Sequence, residues 1–205
     1  KQHPQIYMPE KKEINFFRFN YGKGLNWYLN HFKKSKSFQL RGEASPLYMW
    51  NKYAAKRIYK HFPKIKLIFI LRDPIKRAYS NYYFDIQRGT QNPKESFLES
   101  LRSDFGKKNY ISKGFYYKQL KRFYELFNED QILVILNRNL KLNKNETLKK
   151  IYNFLLIKYI FPLSCKKHIT KLPKNKILSV IFHLIRKIEQ QLKVIIPYNF
   201  RKNLN

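Results

Sequence analysis

Two short apolar runs stand out in a chain that is otherwise amphipathic: Lys66-Leu-Ile-Phe-Ile-Leu71 and Ile132-Leu-Val-Ile-Leu136. Each is continuous rather than alternating and is bounded by polar residues, a pattern that predicts a strand buried on both faces. Around them the apolar spacing turns helical. Tyr53, Ile58, Tyr59 and Phe62 predict an amphipathic helix over 51–62, stopped by Pro63. Further helices are predicted over 25–32, 75–85, 94–102, 116–127, 145–156 and 176–196. Residues 1–10 read as a loop, 14–19 as a short extended piece, 38–40 as a third strand and 103–112 as a polar connection. Strands that alternate with helices predict an α/β fold, a parallel β-sheet flanked by helices on both faces. The length fits a single domain over 1–205. In such sheets ligands sit beyond the carboxyl ends of the strands, which puts Arg72 at the site.

Composition adds one strong constraint. Lys and Arg number 43 against 13 Asp and Glu, a formal charge of +30 that draws anions over distance. Nucleic acid, an anionic membrane surface or glycan, and a phosphate-bearing small molecule all fit that charge. Lys, Asn, Ile, Phe and Tyr run high together, as AT-rich coding DNA would dictate, and that bias accounts for much of the Lys excess. Cys165 is the single cysteine, so no internal disulfide forms. His168 has no partners at metal-ligand spacing, and no metal is expected. The most apolar stretch, 177–197, is interrupted by Arg186, Lys187 and Glu189, so no membrane span is expected. The chain opens on Lys1 rather than methionine, and upstream sequence is expected to be missing.

Arg72 follows the apolar run directly, and its planar guanidinium can grip a phosphate through two parallel hydrogen bonds. Asp73 and Pro74 then launch a helix on which Ser80 lies one to two turns along, able to donate to the same phosphate. The plainer reading pairs Arg72 with Asp73 and leaves Ser80 as packing; on pattern alone the two readings stand level.

The run LIFILRDPIKRAYSNYYFDIQRG resembles the segment with which PAPS-dependent sulfotransferases hold the 3'-phosphate of 3'-phosphoadenosine 5'-phosphosulfate (PAPS), above all the heparan sulfate branch and its bacterial relatives. HPQIYMPEKKEINFF is similar to the segment after that family's first nucleotide loop, and GEASPLY to its following turn. SKGFYYKQLKRFYELFNEDQILVI resembles its next helix and strand. LNKNETLKKIYNFLLI resembles a later helix, with Lys144 where the family typically has proline. The resemblance runs in order over 2–157 and fades beyond.

It implies a P-loop NTPase-like sulfotransferase fold, PAPS as co-substrate without a metal, and sulfuryl transfer to a hydroxyl or amine acceptor such as a saccharide. It assigns Arg72 and Ser80 to the 3'-phosphate and makes Glu13, in KKEINFF, the base that takes the acceptor's proton, a role suited to a carboxylate whose pKa burial raises. The plainer account pairs Glu13 with Lys11 or Lys12. Lys166 and Lys167 lie in a basic loop placed where relatives can close over the nucleotide, which would put them on phosphate, although a solvated charge run is the favoured account of that loop. Glu43 and Ser45 could shape the acceptor side, a Ser-mediated turn being the simpler account. Two departures leave the acceptor open: Asn15 stands where the heparan branch has His, and Ala44 where it often has Lys. The family's phosphosulfate loop should precede His3-Pro4 and is not seen, so a truncated gene model or a degenerate gene is expected, ahead of a partial chain, with weak PAPS binding and transfer that is slow or absent.

The alternative from another class is a basic nucleic-acid-binding protein without catalysis, whose Tyr and Phe would stack on bases. Its basic residues are dispersed and carry no recognised motif, so no specific nucleic acid partner is expected. A nucleoside-phosphate kinase would need a glycine-rich Lys-Ser/Thr loop that is not visible. One cysteine and AT-biased composition suggest a bacterial cytoplasm, with the Golgi lumen as the alternative if an anchor precedes Lys1.

Overall fold

The computed structural model describes residues 3–35 and 37–160. In chain order it runs β1 (Ile6–Tyr7), α1 (Leu25–Asn30), β2 (Leu40–Arg41), α2 (Ala54–His61), β3 (Leu67–Leu71), α3 (Pro74–Gln87), α4 (Phe97–Arg102), the single turn α5 (Asp104–Gly106), α6 (Tyr116–Tyr124), β4 (Ile132–Leu136), α7 (Asn137–Leu142) and α8 (Lys144–Leu155). Both strand pairings are parallel, as expected of an α/β chain. β1 pairs with β2 through Ile6↔Leu40 and Tyr7↔Arg41. β3 pairs with β4 in register from Leu67↔Ile132 to Leu71↔Leu136. Among the described residues the sheet is thus two parallel pairs rather than one ladder. The described residues form two compact units, 3–72 with 115–160, and 73–114.

The first unit holds both strand pairs. Its core gathers Ile14, Phe16 and Phe17 against Tyr28, Ala54, Ala55 and Ile58, and extends through Phe69 to Phe123 and Ile132. Phe16 stacks on Tyr28 at 4.7 Å between ring centroids, and Phe69 meets Phe123 edge-on at 4.9 Å. The predicted inward face of α2 is corrected by this packing. Ala54, Ala55 and Ile58 face inward while Tyr53 and Tyr59 are exposed, the small side chains letting α2 approach the aromatic cluster closely. β3 is buried on one face only: Phe69 points into the core, whereas Ile70 is 53% exposed.

Two arginines of this unit are anchored on backbone carbonyls. Arg57 Nη1 donates to the carbonyls of Phe17 at 3.1 Å and Arg18 at 3.2 Å. Its guanidinium also lies over Tyr21 at 4.3 Å. Arg122 Nη2 donates to the carbonyls of Met49 at 2.9 Å and Trp50 at 3.3 Å. Neutral acceptors with two free lone pairs suit a fork-shaped donor where carboxylates are scarce.

The second unit is built around α3. Asp73 caps the helix by accepting from the Lys76 amide at 2.8 Å, and Pro74 at the first helical position presets the backbone. α4 opens with a capping box in which the Ser96 hydroxyl accepts from the Glu99 amide at 3.3 Å and Glu99 accepts from the Ser96 amide at 2.7 Å. The expected polar connection 103–112 instead contains α5 and a π-helical turn, Lys107–Ile111, whose Tyr110 is buried against Ala78, Tyr82 and Ile86. Arg77 donates to the carbonyls of Asn109 and Tyr110, tying that turn to α3.

Candidate active site

The segment expected as an extended piece over 14–19 is instead a compact turn. Glu13 and Asn15 adopt left-handed backbone angles, φ 50° and 53°, which non-glycine residues hold only where their surroundings fix them. The Asn15 carbonyl accepts from the amides of Arg18, Phe19 and Asn20 at 3.3, 3.0 and 3.2 Å, which folds the chain back on itself. Asn15 Nδ2 donates to the Glu13 carbonyl at 2.9 Å, and Asn20 Nδ2 to that of Ile14 at 2.8 Å. Ile14, Phe16 and Phe17 are buried beneath the turn, whereas the Glu13 side chain is exposed, so the burial expected around this carboxylate is not seen among the described residues. Lys11, one of the suggested partners for Glu13, instead places its Nζ 5.3 Å from the Trp27 ring.

Facing this turn is a second one, 42–48, that centres on a carboxylate. Glu43 Oε1 accepts from the Tyr48 hydroxyl at 2.7 Å, and Oε2 from the Ser45 hydroxyl at 3.0 Å. Burial pushes the Glu43 carboxyl above its ordinary range, and the hydroxyl hydrogen bonds oppose that rise. Burial, followed by the charge of Glu43, pushes the Tyr28 and Tyr48 phenols well above theirs. The two hydroxyls also reach the first turn: Ser45 Oγ accepts from the Asn15 amide at 3.2 Å, and Tyr48 from the Phe17 amide at 3.4 Å. Glu13, Asn15, Glu43, Ser45 and Tyr48 are therefore brought together in one unit. The sequence singles out Glu43 and Ser45, as turn residues or as residues shaping the acceptor side, but not Tyr48, for which the spacing Glu-x-Ser-x-x-Tyr in GEASPLY is the available signal.

Arg72 follows the last residue of β3 and is exposed. Asp73 does not pair with it, because its carboxylate caps α3. Ser80 lies half-buried in the second turn of α3, within the unit 73–114. Lys166, Lys167, Cys165, His168 and the helix predicted over 176–196 lie outside the described residues. Among the described residues no group of three or more His, Cys, Asp or Glu gathers as a metal site requires. No helix among them is long and apolar enough to cross a membrane.

Residues 2–178 match the family profile described as the sulfotransferase domain. The chain is 40% identical over 107 residues to the membrane-associated sulfotransferase kil1 of Dictyostelium discoideum, covering 49% of this chain and 23% of that protein. It is 32% identical over 143 residues to human heparan sulfate glucosamine 3-O-sulfotransferase 5, covering 65% and 41%. Against mouse bifunctional heparan sulfate N-deacetylase/N-sulfotransferase 3 the identity is 30% over 172 residues, 75% of this chain and 20% of that one. The chain thus spans less than half the length of these curated relatives. Among solved structures, a sulfotransferase from Alicyclobacillus acidocaldarius superposes with a TM-score of 0.67 at 26% identity, over 82% of this chain and 78% of that one.

Proposed function

The chain belongs to the sulfotransferase domain family, and from that premise we propose that it transfers a sulfuryl group from PAPS to a hydroxyl or amine of a saccharide. The acceptor lone pair attacks sulfur in line with the bond to the phosphate oxygen. That S–O bond breaks as the new one forms, and adenosine 3',5'-bisphosphate (PAP) leaves with the electron pair. The acceptor's proton passes to Glu13. Positioning and charge stabilisation supply most of the rate in such a displacement.

Arg72 and Ser80 hold the 3'-phosphate, Arg72 through its two-pronged fork and Ser80 through its hydroxyl. Lys166 and Lys167 add cationic contacts to the phosphates. The family match over 2–178, which takes in all five of these residues, carries the reading. The exposed Arg72 guanidinium, left free by the capping role of Asp73, supports it. A formal charge of +30 favours an acidic saccharide as acceptor.

Calorimetry of PAP against adenosine 5'-monophosphate, which lacks the 3'-phosphate, tests the assignment. The expected result is at least about tenfold tighter binding of PAP, a preference that Arg72→Ala abolishes. Equal, salt-sensitive binding of both nucleotides would mean that only the general positive charge is being read, and the assignment would fail.

A further inference from the structure

The geometry points to Glu43 as the positioning residue for the turn that presents Glu13, acting through the hydroxyls of Ser45 and Tyr48. This inference rests on the reading of Glu13 as the base. Its physical content is the direction of four hydrogen bonds. A hydroxyl carries one proton, and where that proton goes fixes which way its lone pairs face. Ser45 gives its proton to Glu43 Oε2 and offers a lone pair to the Asn15 amide; Tyr48 gives its proton to Oε1 and offers a lone pair to the Phe17 amide.

The two amides lie on the turn whose crest is Glu13, and one belongs to Asn15, which is itself left-handed and holds the Glu13 carbonyl. Two backbone donors 30 and 31 residues away from their acceptors are thus oriented by one carboxylate. An acceptor with two oxygens and no proton of its own polarises both relays in the same sense, and each bond strengthens the next. Glu43 touches no reacting atom in this scheme; it sets where the Glu13 carboxylate stands. Burial pushes the Glu43 carboxyl upward and the hydroxyls that donate to it pull the other way; the relay described here belongs to the ionised carboxylate.

The test is amide hydrogen exchange by NMR on the full chain. Ser45→Ala is expected to speed exchange about tenfold at the Asn15 amide alone, Tyr48→Phe at the Phe17 amide alone, and Glu43→Leu, which keeps bulk but removes both acceptor oxygens, at both. Glu43→Gln, which keeps one acceptor oxygen, should retain more protection than Glu43→Leu. In turnover assays Glu43→Leu should lower kcat about tenfold with PAP affinity within about twofold, and should add no loss in a Glu13→Gln background.

Unchanged exchange in Ser45→Ala and Tyr48→Phe overturns the relay even if Glu43→Leu fails to fold. Equal fractional losses of kcat with and without Glu13 overturn the link to the base. Full turnover in Glu13→Gln alone sinks the base assignment, while the exchange data still decide the relay.

Discussion

Gly106 closes the turn on which the second unit depends, and Gly106→Ala puts that dependence to a quantitative test. A Cβ at this position would lie 1.7 Å from the Ser100 carbonyl oxygen, 2.6 Å from its carbon and 3.1 Å from Leu101 Cα. Ordinary contact is about 3.5 Å, so the backbone of α4 or α5 must move by roughly 2 Å. The Ser100 backbone has little freedom to do so. Its carbonyl accepts from the Ser103 hydroxyl at 2.7 Å, and Ser103 Oγ in turn accepts from the Gly106 amide at 3.0 Å. Ser100 is also fully buried.

Overpacking of this kind costs about 1–3 kcal/mol. Loss of the Ser103 cap adds about 1 kcal/mol. The higher helix propensity of alanine returns about 1 kcal/mol. The last two cancel, leaving a net destabilisation of about 1–3 kcal/mol. Tryptophan fluorescence would miss it, since Trp27 and Trp50 both belong to the first unit. Hydrogen exchange of peptides covering 97–111, read by mass spectrometry, reports on the right residues. Gly22→Ala, where nothing lies within 4 Å of the added carbon, is the control and should stay within about 0.5 kcal/mol of the parent. Unchanged or greater protection over 97–111 in Gly106→Ala would refute the steric argument, because helix propensity alone would then be setting the sign.

Two further outcomes are expected. Arg57→Met should lower stability by about 1–3 kcal/mol in chemical denaturation, because the Phe17 and Arg18 carbonyls lose their shared donor; an Arg57→Met protein as stable as the parent would show that water satisfies them. The pH dependence of stability carries a signature of Glu43. Its folded-state pKa is raised, so its contribution is fully present below the ordinary carboxylate range and is lost as pH rises through the folded value. Stability of the parent relative to Glu43→Gln should therefore fall as pH rises from the ordinary carboxylate range. A difference that stays flat, or grows with pH, contradicts burial as the dominant cause.

Local physics carried the sequence reading a long way. β4 could be placed to the residue because Ile132–Leu136 is a pure apolar run between polar neighbours, and the Asp-Pro step marked the start of α3. What escaped the sequence depends on partners far along the chain. Tyr110 sits among Lys107, Lys108 and Asn109, with no periodicity to announce that it is buried; its environment is built by Ala78 and Tyr82 of α3. Arg57 reads as one more cation on a basic helix, yet it serves carbonyls 39 and 40 residues earlier. Glu43 presents the same difficulty. Nothing in GEASPLY shows that its hydroxyl neighbours reach back to Asn15 and Phe17. Arg72 and Ser80, by contrast, were singled out from position and motif, and their phosphate role remains the assignment that the nucleotide comparison must decide.

The carbonyl-anchored arginines carry a consequence for how the protein meets other molecules. A guanidinium braced by a carboxylate is electrically silent from outside, the pair amounting to a small dipole. Braced by carbonyls, Arg57 and Arg122 hold the fold together and still keep their whole charge. The same side chains therefore serve as internal struts and as sources of the outward field, and a polyanion drawn toward this surface would be attracted by parts of its framework. Such struts also do not dissolve in salt: raising ionic strength quiets the attraction while the donors keep their grip on neutral oxygens.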